Sequence, residues 1–217
     1  KIYYYINRYC TVHDHNCDCL VISAEDEEHA RLPSQLTTRK YDGIFIGGEF
    51  SDGFLQEIEI LHSEVVAIDF YKAHFDFNYV VVENYFAGQN AARYLYERGH
   101  RDIGFVGDFK RTSSLADRFF GFMKLLQLHD RSPRLDTVFS VLDDADSQPL
   151  KEIELPDPMP SAFICHCDKA AFVLLQLLRQ RGYAVPEDVS LASFDNTRPR
   201  EMPVSRLTTA DIDRKAP

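Results

Sequence analysis

The stretch VVVENYFAGQNAARYLYERGHRDIGFVG, residues 80–107, decides how the chain is read. It opens extended, continues as a helix, stops sharply and ends as a short apolar strand. Asn84 is suited to cap the helix, because its side chain can accept from an unpaired N–H of the first turn. Ala87, Ala91, Tyr94 and Leu95 recur at helical spacing and give the helix one packing face. Gly99 falls where a helix ends in a left-handed residue, a conformation without steric penalty for glycine. His100 and Arg101 then stand beside the negative end of the helix dipole. Residues 103–106 form an apolar run without alternation, the pattern of a strand covered on both faces. One helix and one such strand make a single turn of an α/β sandwich.

The rest of the chain repeats this rhythm. Residues 1–15 place Ile2, Tyr5, Ile6, Tyr9 and Val12 at spacings of three and four, which predicts an amphipathic helix ended by Asn16. Residues 17–23 (CDCLVIS) read as a strand. Residues 25–39 are charged and helical, with Pro33 starting, kinking or interrupting the helix. Residues 41–48 (YDGIFIGG) predict a turn, a buried strand and a glycine exit. Residues 51–62 predict a helix with Phe54, Leu55, Ile58 and Leu61 inward, and residues 65–69 (VVAID) a strand ending in an acid. Residues 70–79 are irregular and aromatic, a first crossover between subdomains.

Beyond the opening stretch, residues 108–114 read as a polar loop. Residues 115–128 read as a helix burying Leu115, Phe119, Phe122, Leu125 and Leu126. Strands are expected at 137–142, 162–165 and 189–194, and a further extended piece starts at 205–209. Residues 143–160 are acidic and proline-rich, the composition of a loop. Residues 168–181 predict a helix with Ala171, Leu174, Leu175 and Leu178 inward, stopped by Gly182. Alternating strands and helices imply parallel sheets covered on both faces. In such sheets ligands bind beyond the carboxyl ends of the strands. Those ends hold Gly47, Gly48 and Glu49, then Asp69, then Gly107 and Asp108, then residues 165–168, then Asp195 and Asn196. Glu49 and Phe50 become site candidates from that position alone.

The 217 residues suffice for one large domain or two small ones, and a 45% hydrophobic content supports a sizeable core. No apolar run approaches the roughly 20 residues needed to cross a bilayer, so no membrane role is expected. The start, KIYYYINRYC, shows no secretory signal. A net charge of −10 makes the chain a poor holder of phosphate backbones by itself. The five cysteines are odd in number, and C-x-C pairs on one strand do not readily bridge. Reduced thiols, and hence the cytoplasm, are the simpler expectation. His13, His15, Cys17 and Cys19 invite a metal reading. The run crosses from a helix end into the expected strand, so its side chains would not converge on a tetrahedral centre. No metal and no cofactor are assigned.

YDGIFIGG, VVAID, residues 80–107, RFFGF (118–122), PSAFICHCDKAA (160–171), RGYAVPEDVSLASFDN (181–196) and SRLTT (205–209) together resemble the LacI/GalR family of bacterial transcription regulators. They stand in the family's order and at about its spacing, and cover most of the chain from Tyr41 on. The resemblance implies two Rossmann-like subdomains with parallel sheets, of the periplasmic-binding-protein-like type I. An effector such as a sugar would lie in the cleft between them. Residues 1–80 would be an N-terminal subdomain, incomplete because its first strand is not visible. Residues 81–208 would be the C-terminal subdomain and residues 209–217 the start of the return crossover. The family's N-terminal helix-turn-helix, which reads operator DNA, is not in this sequence. The chain is therefore expected to be the effector-binding and homodimerisation part of a repressor.

By the same resemblance Arg118 stands at the arginine of the R-x-x-G-F element, which faces the effector. A guanidinium can fork two hydrogen bonds to vicinal hydroxyls or a carboxylate. Asp195 matches the acid of the G-F-D element and would accept from ligand hydroxyls. Cys167 and Asp168 match a position that is commonly Asn-Asp. Asp168 could instead cap the following helix, and a thiol at 167 departs from the family, being a weaker hydrogen-bond partner than an amide. Asp69 matches an acid at the first cleft edge. The resemblance implies a population shift, in which the effector favours one orientation of the subdomains and the dimer carries this to the DNA-reading heads. The competing reading is a periplasmic or extracellular solute-binding protein. An enzyme is not expected, since G-x-S-x-G, G-x-x-x-x-G-K and H-E-x-x-H are all missing.

Overall fold

In the computed structural model of the chain, residues 2–141, 153–197 and 207–211 are described. They form two units, Lys1–Val81 and Val82–Pro217.

The first unit opens with α1 (Ile2–Val12), the helix expected from the 3–4 spacing. Its aromatic residues do not form the inward face that the spacing predicted, because Tyr5, Tyr9 and Val12 are all exposed. Pro33 starts a helix rather than kinking one: α2 (Ala24–Glu28) ends before it and α3 (Ser34–Thr38) begins immediately after. The sheet is three parallel strands in the order β1 (Gly43–Gly47), β2 (Glu64–Ile68), β3 (Asn78–Val80). Between β1 and β2 lies α4 (Asp52–Glu59), capped by the Ser51 hydroxyl, which accepts from Phe54 N. Phe54, Leu55 and Ile58 on α4 close over Ile46, Val65 and Ala67 of the sheet, with Phe70 and Phe75 beside them.

Two expectations in this unit need correction. Residues 17–23 form no strand and pair with none among the described residues, and Val21 is 88% exposed. A β-type sequence becomes a strand only when a neighbour supplies ladder bonds, and β1 offers them on β2's side alone. For the same reason β1 is not the buried strand its composition suggested: only Ile46 is buried, and Phe45 is 54% exposed.

The second unit carries a five-stranded parallel sheet. Its strands are β4 (Ile103–Val106), β5 (Val138–Phe139), β6 (Ala162–Cys165), β7 (Ser190–Phe194) and β8 (Thr208–Ala210), in the order β5-β4-β6-β7-β8. Counted within the unit this is 2-1-3-4-5, a doubly wound order whose switch point lies between β4 and β6. The sheet buries both faces, as the runs without alternation predicted. Ile103, Phe105, Ala162, Ile164, Ala192 and Phe194 face α5 (Asn84–Glu97) and α6 (Ser113–Leu128). Val106, Phe163, Cys165 and Leu191 face α7 (Asp168–Gln180). On α7 the inward set is Ala170, Ala171, Leu174, Leu177 and Leu178, with Leu175 at its half-buried margin. The expected strand at 137–142 is shorter than predicted, a single 3₁₀ turn (Leu135–Thr137) followed by β5, and residue 142 lies outside the described residues. So do 143–152 of the expected acidic loop, 205–206 of the expected final extended piece, and 212–217.

Asn84 is not the cap of α5. The cap position is Glu83, with no side-chain bond, and Asn84 is the first helical residue, buried at 3% exposure. Its amide donates to Val82 O at 3.2 Å while its carbonyl accepts from α6. The other end is as read: Gly99 takes φ +96°, His100 N returns to Leu95 O, and the Arg101 guanidinium donates to Tyr96 O at 2.6 Å.

The helices α5 and α6 cross at contact. A Cβ on Gly88 would lie 2.0 Å from Arg118 O, and one on Gly121 would lie 1.9 Å from Tyr85 O. Both obstacles are backbone, so neither can turn aside. Gly88→Ala or Gly121→Ala is expected to destabilise this unit by about 3 kcal/mol through overpacking, read as a lower urea midpoint. A midpoint equal to that of the natural chain contradicts the close crossing.

Candidate functional site

The switch point of the second sheet gathers the polar groups. Arg118, on the second turn of α6, is buried at 6% exposure. Its Nε donates to Asn84 Oδ1 at 2.8 Å, and its Nη1 donates to His166 O at the carboxyl end of β6. The guanidinium lies over the Phe194 ring, 4.7 Å from its centre. Nη2 stands 3.7 Å from Asp195 Oδ1, an ion pair too long for a direct hydrogen bond. Asp195 sits just past β7 with φ +95°, its backbone N donating to Ala210 O at 3.0 Å. Its side chain keeps 26% exposure against 8% for Arg118, so the solvent side of the pair is the acid.

Asp168 is placed differently. It is 1% exposed, and its two oxygens accept four hydrogen bonds from the chain itself. Ser193 Oγ and Thr209 Oγ1 donate to Oδ1, the latter at 2.7 Å. Thr197 N and Thr197 Oγ1 donate to Oδ2 at 2.6 and 3.3 Å. A carboxylate offers about four lone-pair positions, so its accepting capacity is filled. It is a clasp holding the ends of β7 and β8 against the start of α7. Cys167, not Asp168, occupies the cap position of α7, without a side-chain cap bond. Burial pushes its thiol up, opposed by the backbone N–H groups of Ala170 and Lys169.

His166 is the residue that sequence reading missed. Its backbone N donates to Val106 O at 2.8 Å, and its Nδ1 meets the same carbonyl at 3.1 Å. A carbonyl can only accept, so Nδ1 carries the proton and Nε2 is left as an acceptor in the neutral ring. Burial lowers its pKa most; the Val106 bond opposes this and Arg118 adds to it. Thr197 and Thr209 were missed likewise. Their signal lies in LTT (207–209) and in the threonine that follows FDN (194–196), one hydroxyl within β8 and one just past β7.

In the first unit Glu49 and Phe50 follow β1 and are half-buried, and Asp69 follows β2. Asp69 takes φ +66°, and its N donates to Val80 O at 2.9 Å. Among the described residues no three His, Cys, Asp or Glu side chains converge as a metal would require.

A doubly wound parallel sheet of 2-1-3-4-5 order, with a fixed arginine and an acid at its switch point, defines a domain of the α/β binding class. Residues 92–216 match the family model described as periplasmic binding protein-like domain. The chain belongs to that family, in the form carried by LacI/GalR-type regulators. It is 32% identical over 197 residues to the HTH-type transcriptional repressor PurR of Salmonella newport, covering 84% of this chain and 55% of that protein. It thus spans about half the length of the curated relatives it matches. Among solved structures, a LacI-type transcriptional regulator from Bacillus cereus superposes with a TM-score of 0.73 at 23% identity, over 88% of this chain and 70% of the other. A LacI family regulator from Lactobacillus casei with bound glucose superposes at 0.67 and 22%, over 88% and 73%.

The lowered pKa values of His166 and His100 bear on stability. Burial lowers His100 most, and Arg101 adds to it. In the unfolded chain each titrates at about 6.5. Below that pH the unfolded state takes up protons that the folded state refuses, so stability falls as pH falls. Chemical denaturation at pH values above and below that point should show this loss, and it should shrink in a variant carrying His100→Gln and His166→Gln. An equally steep loss in the variant contradicts the assignment.

Proposed function

We propose that the chain is the effector-sensing part of a DNA-binding transcriptional repressor, taking a small polyhydroxylated or heterocyclic metabolite such as a sugar. The observation that carries this is the Arg118–Asp195 pair at the switch point. A fixed donor and a solvent-facing acceptor, 3.7 Å apart, suit a ligand hydroxyl that accepts from one and donates to the other. The guanidinium is already oriented by Asn84 and His166 O, so little side-chain entropy is lost on binding. Family membership and the repressor names of the relatives support the regulatory part of the reading.

Within this proposal Arg118 and Asp195 contact the effector, Cys167 lines the site beside them, and Asp168 is a positioning residue acting through Ser193, Thr197 and Thr209. A role for Glu49 and Asp69 rests on resemblance and on their places at strand ends. Operator DNA is assigned to a helix-turn-helix of the whole protein, in keeping with the net charge of −10 here. Homodimerisation and a cytoplasmic location follow the same family reading. No helix is long and apolar enough to cross a membrane among the described residues. No catalysis is assigned.

The test is a thermal-shift screen of pentoses, hexoses, sugar phosphates and purines on the chain, followed by calorimetry of the best binder. A ligand that binds only the folded state raises its melting point. Arg118→Lys and Asp195→Asn are each expected to weaken that binder about tenfold or more, the scale of one charge-assisted hydrogen bond, while leaving the fold intact. Unchanged affinity in both variants refutes the site.

A further inference from the structure

His166 carries a ring nitrogen that the Arg118–Asp195 pair does not use. Along β6 the side chains alternate: Ala162 and Ile164 face α5 and α6, and Phe163 and Cys165 face α7. His166 N donates to Val106 O at 2.8 Å, so the pairing with β4 runs one residue past the strand. The alternation therefore puts the imidazole on the α6 face, the face that carries Arg118. Arg118 Nη1 donates to the carbonyl of the same residue. The ring lies against bare backbone at the turn after β4, since a Cβ on Gly107 would come within 2.8 Å of both His166 Cβ and Nδ1. With Nδ1 spent on Val106 O at 3.1 Å, Nε2 stands on the far side of the ring. It takes part in no hydrogen bond among the described residues, and His166 keeps partial exposure. An acceptor is thus fixed in the crevice between β4 and β6, where a doubly wound sheet holds its ligand.

We propose that His166 is a ligand contact of the effector site, its Nε2 accepting a hydrogen bond from an O–H or N–H of the metabolite, so that a proton and the metabolite compete for one lone pair. This role rests on the reading of Arg118 and Asp195 as that site. The metabolite then gives hydrogens to His166 and Asp195 and accepts from Arg118. Two acceptors and one donor suit an uncharged edge with hydroxyl or N–H groups. A phosphate or carboxylate edge has no proton to give to Nε2.

The charges around the ring favour its neutral form. Burial lowers its pKa most; the Val106 bond and Asp195 oppose this, and Arg118 and Arg111 add to it. Arg118 comes from α6, Asp195 from the end of β7 and Arg111 from the loop after β4. From α7, Asp168 is turned to Ser193, Thr197 and Thr209, and burial raises the Cys167 thiol. A proton on Nε2 would set a third cation beside two guanidiniums and remove the ring's one acceptor. As pH falls through the folded-state pKa, affinity for the metabolite drops, by up to about tenfold per pH unit. By reciprocity the bound metabolite lowers that pKa further, so acidification releases it.

The experiment is calorimetry on the whole chain in steps from about pH 8 to about pH 5, with D-ribose, D-glucose, adenine and ribose 5-phosphate as probes. The tightest uncharged probe is expected to bind about threefold or more weakly at the acid end, with protons released to the buffer on binding. His166→Gln, whose amide oxygen accepts but does not titrate, is expected to bind with one affinity across the range. His166→Phe is expected to weaken the probe about tenfold at the alkaline end. Nitrogen NMR of the histidine-labelled chain, with the His166→Gln spectrum assigning the signal, should place the ring proton on Nδ1. The same pH dependence in the natural chain and His166→Gln, unchanged affinity in His166→Phe, or a proton on Nε2 would each overturn the His166 contact. The same holds if ribose 5-phosphate alone binds. In those cases the site itself stands if Arg118→Lys and Asp195→Asn still weaken the probe. If no probe binds, or if those two variants bind as the natural chain does, the site fails and the contact with it.

Discussion

The distance between α5 and α6 governs the second unit. Gly88 and Gly121 let two helix backbones meet where any side chain would strike a carbonyl oxygen. That approach brings Asn84, at the start of α5, within 2.8 Å of the Arg118 Nε on α6. A guanidinium buried to this degree would be strongly unfavourable alone, since desolvating a charge costs several kcal/mol. Here the cost is offset by an amide carbonyl, a backbone carbonyl, the face of Phe194 and the nearby Asp195. One arginine thus joins α5, α6, β6 and β7. A small increase in helix separation would break several of these contacts together.

Around this point the polar residues divide their work. Asp168 is fully spent on the chain's own donors and fixes the ends of β7 and β8. Asp195, with a left-handed backbone and a side chain that retains exposure, is held by its backbone and not by its carboxylate alone. A rigid acid beneath and an accessible one above is how a site is oriented before a ligand arrives. The neutral His166, with its ring proton given to Val106 O, continues the β4–β6 pairing past the strand ends and adds an acceptor nitrogen.

Much of this was legible in the sequence because burial leaves a periodic trace. The runs at 103–106 and 162–165 are the strands β4 and β6 to the residue, and the spacing on α7 marks its buried face within one position. What the trace cannot carry is the identity of a partner. Residues 17–23 have a strand's composition but pair with no strand among the described residues. YDGIFIGG looks buried, yet β1 lies at an edge. Asn84 has the chemistry of a cap, and only the arrival of a residue 34 positions later turns it into an arginine's anchor. The strand ends pointed to Cys167, Asp168 and Asp195, and the family resemblance pointed to Arg118. Which of the two acids faces the chain and which faces solvent was decided by hydroxyls from distant segments.

The account rests most heavily on the Asn84–Arg118 bond, and a double-mutant cycle measures it directly. Unfolding free energies of the natural chain, Asn84→Ala, Arg118→Met and the double variant would be compared. A charge-assisted bond between buried partners predicts a coupling of about 1–3 kcal/mol, the two losses failing to add. Strict additivity, with no coupling between the two positions, would contradict a guanidinium fixed by α5.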